Sequence, residues 1–177
     1  MYFPKRNKIT NDKVIKLTKG IRQKKCWKPN GIWYSCGNSW YNFIKDDETD
    51  RLHKYIHTIR LKNNKKTTYQ NKDSNKLLII KDINDFDSFF NEYKVFSDKL
   101  NYYLIDWVKV KKDYGGIEIC PYLHNRRSTK RSTKWYYSWD VASGCIWNDD
   151  IISSTNIVYE KNKDNTYIQY SKNEKKI

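Results

Sequence analysis

No apolar run approaches the roughly 18 residues a membrane-crossing helix needs, and the first 25 residues hold no apolar block of the kind that marks a secretory signal. A soluble, intracellular protein without membrane association is therefore expected. Cysteine is sparse: Cys26, Cys36, Cys120 and Cys145 lie 10, 84 and 25 residues apart, with no Cys-x-x-Cys pair and no Cys/His spacing of a zinc site. Reduced thiols and no bound metal are the expectation. Histidine occurs only as His53, His57 and His124. The first two would share a helix face, but the composition of 53–61 favours a strand, which separates them as a ligand pair. Also missing are a Gly-x-x-x-x-Gly-Lys-Ser/Thr loop, a Gly-x-Ser-x-Gly elbow and a His-Glu-x-x-His helix, so phosphate-loop hydrolases, serine esterases and zinc proteases lose their signatures. Acidic residues are few, 20 against 35 Lys and Arg, for a formal net charge of +15.

What is abundant is aromatic side chain. The chain carries 7 Trp, 15 Tyr and 6 Phe, enough large apolar area to build a core although only 38% of its residues are hydrophobic. Its 177 residues suit one domain. The richness in Lys, Asn, Ile and Tyr points to an AT-rich coding sequence.

The positive charge is concentrated. Residues 1–25 carry nine Lys or Arg against Asp12 alone and are expected to form a basic N-terminal arm, with a short element over Val14 to Leu17. A single domain is expected over 26–170, and a basic tail over 171–177. Lys28-Pro29-Asn30-Gly31 is a turn signal, which predicts a strand over Ile32–Ser35. A strand is also predicted over 53–61, and Leu77-Leu78-Ile79-Ile80 reads as a strand buried on both faces. Asp85 is placed to cap a helix whose Phe86, Phe89, Phe90 and Tyr93 fall on one stripe, a pattern of core packing. A second helix is predicted over 105–112, with Trp107 and Val108 inward, ending at Tyr114-Gly115-Gly116. The following Ile117-Glu118-Ile119-Cys120 alternates, which directs Glu118 away from the two isoleucines, and Pro121 closes that strand.

Arg127-Ser128-Thr129-Lys130 is repeated directly as Arg131-Ser132-Thr133-Lys134, and such a duplication belongs on the surface. Residues 135–147 form the most aromatic stretch and read as two strands around a Ser-Gly turn. Strands at 156–159 and 166–170 are placed to pair as a hairpin. The fold class expected is α+β, one domain with a mixed or antiparallel sheet and two main helices.

Two functional readings follow. Arg126, Arg127, Lys130, Arg131 and Lys134 form a second basic patch that would attract phosphates, making contact with nucleic acid without base specificity. A non-catalytic nucleic-acid-binding or virion-associated module is the function this charge implies.

The other reading rests on resemblance. Gly31-Ile32-Trp33-Tyr34-Ser35 is similar to the Gly-Ile-Tyr-Phe-Ala/Ser strand of poly(ADP-ribose) polymerase-like enzymes. Leu77–Asp82 with the following helix resembles the middle strand and helix of that superfamily. Tyr114-Gly115-Gly116-Ile117 resembles its Tyr-Asp-Gly-Ile strand, and Ser143-Gly144-Cys145-Ile146-Trp147-Asn148 its Glu-Tyr-Val-Val-Phe-Asp strand. The order of elements resembles the ADP-ribosyltransferase fold, and in particular phage and giant-virus proteins with a Lys-Pro-x-Gly-Leu-Trp-x-Ser element. The resemblance spans 28 to about 152. It implies NAD as substrate, Gly31, Trp33, Tyr34 and Ser35 at the cofactor, and transfer of ADP-ribose to a protein or nucleic-acid acceptor, in the host cytoplasm or a virion if the source is viral. The family's glutamate slot holds Ser143, whose hydroxyl supplies no negative charge. Asp140 or Glu118 is therefore the expected catalytic carboxylate, because a cationic sugar needs a placed anion. Asp140, set among aromatics, is expected to be desolvated.

Overall fold

The alternating and aromatic segments become strands of one long sheet. In the computed structural model of the chain, residues 2–16, 20–46, 49–127 and 132–171 are described. The strands are β1 (Arg6–Thr10), β2 (Lys25–Cys26), β3 (Ile32–Cys36), β4 (Tyr55–Leu61), β5 (Lys66–Thr67), β6 (Asp73–Ile80), β7 (Lys94–Ser97), β8 (Tyr102–Asp106), β9 (Tyr114–Ile119), β10 (Ser143–Ile146), β11 (Ile152–Lys161) and β12 (Tyr167–Gln169). Four α-helices are found among the described residues: α1 (Ser39–Ile44), α2 (Ile83–Tyr93), α3 (Trp107–Asp113) and α4 (Lys134–Tyr137). Nine strands form a mixed sheet in the order β12-β11-β4-β1-β3-β10-β9-β6-β5, and β2-β8-β7 form a small second sheet. The chain is a single mixed α+β domain, as its composition and patterning suggest.

The large sheet has to curl. β4 is third in the order and β5 ninth, yet only Lys62–Lys65 connect them. Six strand spacings on a flat sheet amount to about 29 Å, whereas five peptide units reach about 18 Å. The sheet therefore bends until these strands approach, enclosing Ile32, Tyr34, Ile59, Leu77, Ile146 and Ile152 on its inner face. The outer face carries the helices. β6 and β9 are parallel neighbours, which demands a crossover, and α2, the β7–β8 hairpin and α3 supply it. Phe86, Phe89, Phe90 and Tyr93 of α2 are buried there with Trp107, Trp135 and Trp147.

Several expectations are corrected by these contacts. Residues 6–10 are a central strand between β3 and β4, with Arg6 and Asn7 buried, so this part of the expected N-terminal arm is built into the domain. Charge density marks a segment as exposed only when its cations find no buried partner, and Arg6 has one. Leu17 of the proposed short element, like 172–177 of the proposed tail, lies outside the described residues. The cap of α2 is Asp82, which accepts from the Asp85 amide at 2.9 Å. Ile105 belongs to β8, so α3 starts at Trp107, and the phase of the later start leaves Val108 exposed. The first half of 135–147 is the short helix α4, not a strand, and Ser143-Gly144 lies inside β10 rather than in a turn. The hairpin near the end is present as β11 and β12.

The thiol expectation also fails in part. Cys36 at the end of β3 and Cys120 just after β9 are joined as a disulfide, while Cys26 and Cys145 are free. Two cysteines 84 residues apart meet because β10 lies between β3 and β9 and so brings the ends of those strands together. No helix among the described residues is long and apolar enough to cross a membrane.

Candidate functional site

The site begins at the Pro29-Asn30-Gly31 turn. Gln23 pins it from both sides, its side-chain amide donating to the Asn30 carbonyl at 2.6 Å and its carbonyl accepting from the Asn30 amide at 3.0 Å. Gly31 then has to pass β10 closely. A Cβ there would lie 2.4 Å from the Ile146 carbonyl oxygen and 2.7 Å from Cys145 Sγ. Its role is this close approach, and it does not itself line the cavity described below.

From Gly31 onward β3 alternates. Register pairs Ser35 with Asn7 on β1 and with Ser143 on β10, and Trp33 with Cys145, so Asn7, Ser35, Ser143 and Trp33 share one face. Ser35 Oγ donates to Asn7 Oδ1 at 2.9 Å, and Ser143 Oγ to the Val141 carbonyl at 2.9 Å. This row floors a cavity of about 470 Å³, whose walls include Trp33, Trp40, Trp139, Asp140, Lys28, Arg51 and His53. Trp33 and Trp139 meet edge to face with ring centroids 4.8 Å apart. The Lys28 ammonium stands 5.3 Å from the Trp33 ring centroid and 3.9 Å from Asp140 Oδ2. Burial pulls the Lys28 pKa down, and the Asp140 carboxylate opposes that pull.

Asp140 presents its carboxylate from a left-handed backbone with φ of 60°. Its side chain is 35% exposed and paired with Lys28, so it is not the desolvated group that its aromatic neighbours in sequence suggested. The chain has turned there, and the flanking Trp139 points into the core.

Glu118 lies elsewhere. Register pairs it with Gly144, and Gly144 with Tyr34, which places Glu118 and Tyr34 on the inner face, opposite the floor of the cavity. Gly144 is what lets them meet: a Cβ there would fall 2.3 Å from the Tyr34 hydroxyl. Tyr34 donates to Glu118 Oε2 at 2.8 Å, while Arg6 reaches across with Nη2 donating to Oε1 at 2.9 Å and Nε 2.5 Å from Oε2. Burial, with the neighbouring Glu118 charge, drives the Tyr34 pKa well upward, so the phenol stays protonated and donating. The alternation of Ile117-Glu118-Ile119 did direct Glu118 away from the isoleucines. It leads into the curl, where the side chain is only 1% exposed.

Cys36 Sγ, Cys120 Sγ and a Glu118 oxygen all lie within 4.8 Å of one another. The two sulfurs are bonded to each other and the carboxylate is held by Arg6 and Tyr34, so as it stands the group offers a cation no free thiolate.

The proposed phosphate patch is divided. Arg126 is held by both oxygens of Asp87, with Nε at 2.7 Å and Nη2 at 2.5 Å. Arg127 stacks over Tyr137 at 4.7 Å and the Lys134 ammonium sits over Tyr102 at 4.7 Å. Lys130 and Arg131, and with them part of the duplication, lie outside the described residues. Trp135 and Tyr136, next to this patch in the sequence, are fully buried in the core and present no ring for stacking a base.

Of the residues singled out from sequence, Trp33, Ser35, Asp140 and Ser143 thus line one cavity; Tyr34 borders it but turns its phenol to Glu118 on the opposite face, and Glu118 and Gly31 do not line it. Trp40, Arg51 and His53 reach the same cavity from outside the motif, through α1 and the segment after it, and no local pattern signals that. Compared with protein-family models, with curated proteins and with solved structures, the chain matches none.

Proposed function

We propose that the cavity over Trp33 is a nucleotide site and that the protein is an ADP-ribosyltransferase-like enzyme, cleaving NAD at its nicotinamide–ribose bond with Asp140 as the catalytic carboxylate. One observation carries this reading: Trp33, Ser35 and Asp140, singled out from segments a hundred residues apart, line a single cavity with a cation at its wall. Its volume, about 470 Å³, lies within the range of small-molecule clefts.

The chemistry follows from the lining. Trp33 and Trp139 give an apolar wall for a flat aromatic ring. Lys28 suits the pyrophosphate, and its engagement there would release Asp140 from the ion pair. The bond from ribose C1′ to the nicotinamide nitrogen breaks, and nicotinamide leaves with the electron pair. Positive charge develops on the ribose, and the Asp140 carboxylate stabilises it. The acceptor nucleophile then forms the new bond at C1′ and gives up its proton. Glu118 takes no part, because it is on the other face of the sheet and already neutralised by Arg6.

Titration with NAD, following both heat and free nicotinamide, tests the proposal. Binding accompanied by nicotinamide release is expected, with Asp140→Asn retaining the heat and losing about a hundredfold in release rate. No heat and no nicotinamide at millimolar NAD would end this reading.

A further inference from the structure

A second concavity, of about 640 Å³, opens where the sheet closes on itself, between the start of β1, the end of β4 and the Lys62–Lys66 connection. Two stretches of the chain deliver cations to it: Lys5 and Arg6 at the start of β1, and Arg60, Lys62, Lys65 and Lys66 from the continuous run 58–66. No Asp or Glu lines it. Arg6 at its rear is committed to Glu118. Lys5, Arg60, Lys62 and Lys66 are exposed, and none has a described carboxylate within ion-pair distance. Elsewhere the scarce acids are used for pairing, as in Lys54 with Glu160, Lys72 with Glu92 and Asp113, and Arg126 with Asp87. Leaving like charges unrelieved at one place is unfavourable, and the proximity of Arg6 and Lys5 depresses the Lys66 ammonium pKa.

We propose that this groove binds the phosphodiester backbone of nucleic acid. It gathers six cations, Lys5, Arg6, Arg60, Lys62, Lys65 and Lys66, a number that fits a run of phosphates better than a single anion. Thr58, Asn63 and Asn64 are also among its lining residues and add neutral polar groups. No aromatic ring lines it, so it lacks a platform for stacking bases, and it takes single and double strands alike, blind to sequence. The groove shares no lining residue with the cavity over Trp33. Nucleic-acid binding and NAD chemistry therefore succeed or fail independently.

The test is fluorescence anisotropy with labelled single strands and duplexes of about 20 nucleotides, titrated between about 50 and about 200 mM salt. The wild-type chain should bind both, with affinity falling as salt rises. Arg60→Gln, Lys62→Gln and Lys66→Gln combined should weaken binding at least about tenfold and lower the slope of log affinity against log salt by about 2 to 3. Arg127→Gln with Lys134→Gln should leave that slope unchanged. Amine acetylation of the unmutated protein gives a readout independent of variant folding, with Lys62 and Lys66 protected when duplex is present. The proposal is overturned by absence of nucleic-acid binding at low salt, by binding of inorganic polyphosphate but not of oligonucleotides, by an unchanged slope in the triple variant, or by acetylation that duplex does not alter.

Discussion

Glu118 and Asp140 show how much the surroundings of a carboxylate decide its role. Glu118 is sealed inside the curl and balanced by Arg6, with Tyr34 completing its hydrogen bonds, so its charge is structural. Removing that charge leaves the Arg6 guanidinium buried and unbalanced. Glu118→Gln should therefore lower unfolding free energy by about 3–5 kcal/mol. Asp140→Asn, which breaks only a solvent-accessible pair with Lys28, should change it by less than about 1 kcal/mol. Urea denaturation of the two variants beside the parent measures both, and equal losses would show that Asp140 is also a structural anion. Sequence alternation was sufficient to decide which way Glu118 points. It carried no information on what covers that face, because the covering strands are distant in the chain and meet only through the curl.

At the scale of elements, legibility followed local periodicity. The α2 stripe repeats at helical spacing and is buried as read, since every residue of the pattern belongs to one continuous segment. Residues 135–147 misled because Trp and Tyr favour strands on average, while here Trp135 and Tyr136 are held in a single helical turn by Phe86, whose ring stacks on Trp135 with centroids 5.2 Å apart. The disulfide was equally invisible, because pairing of Cys36 with Cys120 depends on β10 being inserted between their strands. That bond closes a loop of 84 residues, and its chain-entropy contribution has a ceiling of about 4–5 kcal/mol. Cys36→Ser with Cys120→Ser should unfold at lower urea than the oxidised parent and match the parent held in reductant. A parent whose midpoint is indifferent to reductant would show that the bond adds nothing.

For the whole molecule, class and domain count were readable from length, aromatic content and alternation, whereas the boundary at residue 26 was not. The basic N-terminal stretch looks detachable in composition, yet β1 bridges β3 and β4 and brings Arg6 to Glu118. Deleting residues 1–10 should abolish cooperative thermal unfolding rather than trim a mobile extension; circular dichroism melts would report this, and an unchanged transition would refute it. The same connectivity bears on biosynthesis. β10, only four residues long, sits between β3 and β9, near the middle of the sheet but late in the chain. Until Ser143–Ile146 leave the ribosome, the β1–β3 and β9–β6 halves each present a bare hydrogen-bonding edge to solvent. The nascent chain thus carries one adhesive border, on β3, for most of its synthesis and a second, on β9, over the stretch before β10 is made, which makes it a natural client for chaperones that shield exposed strands.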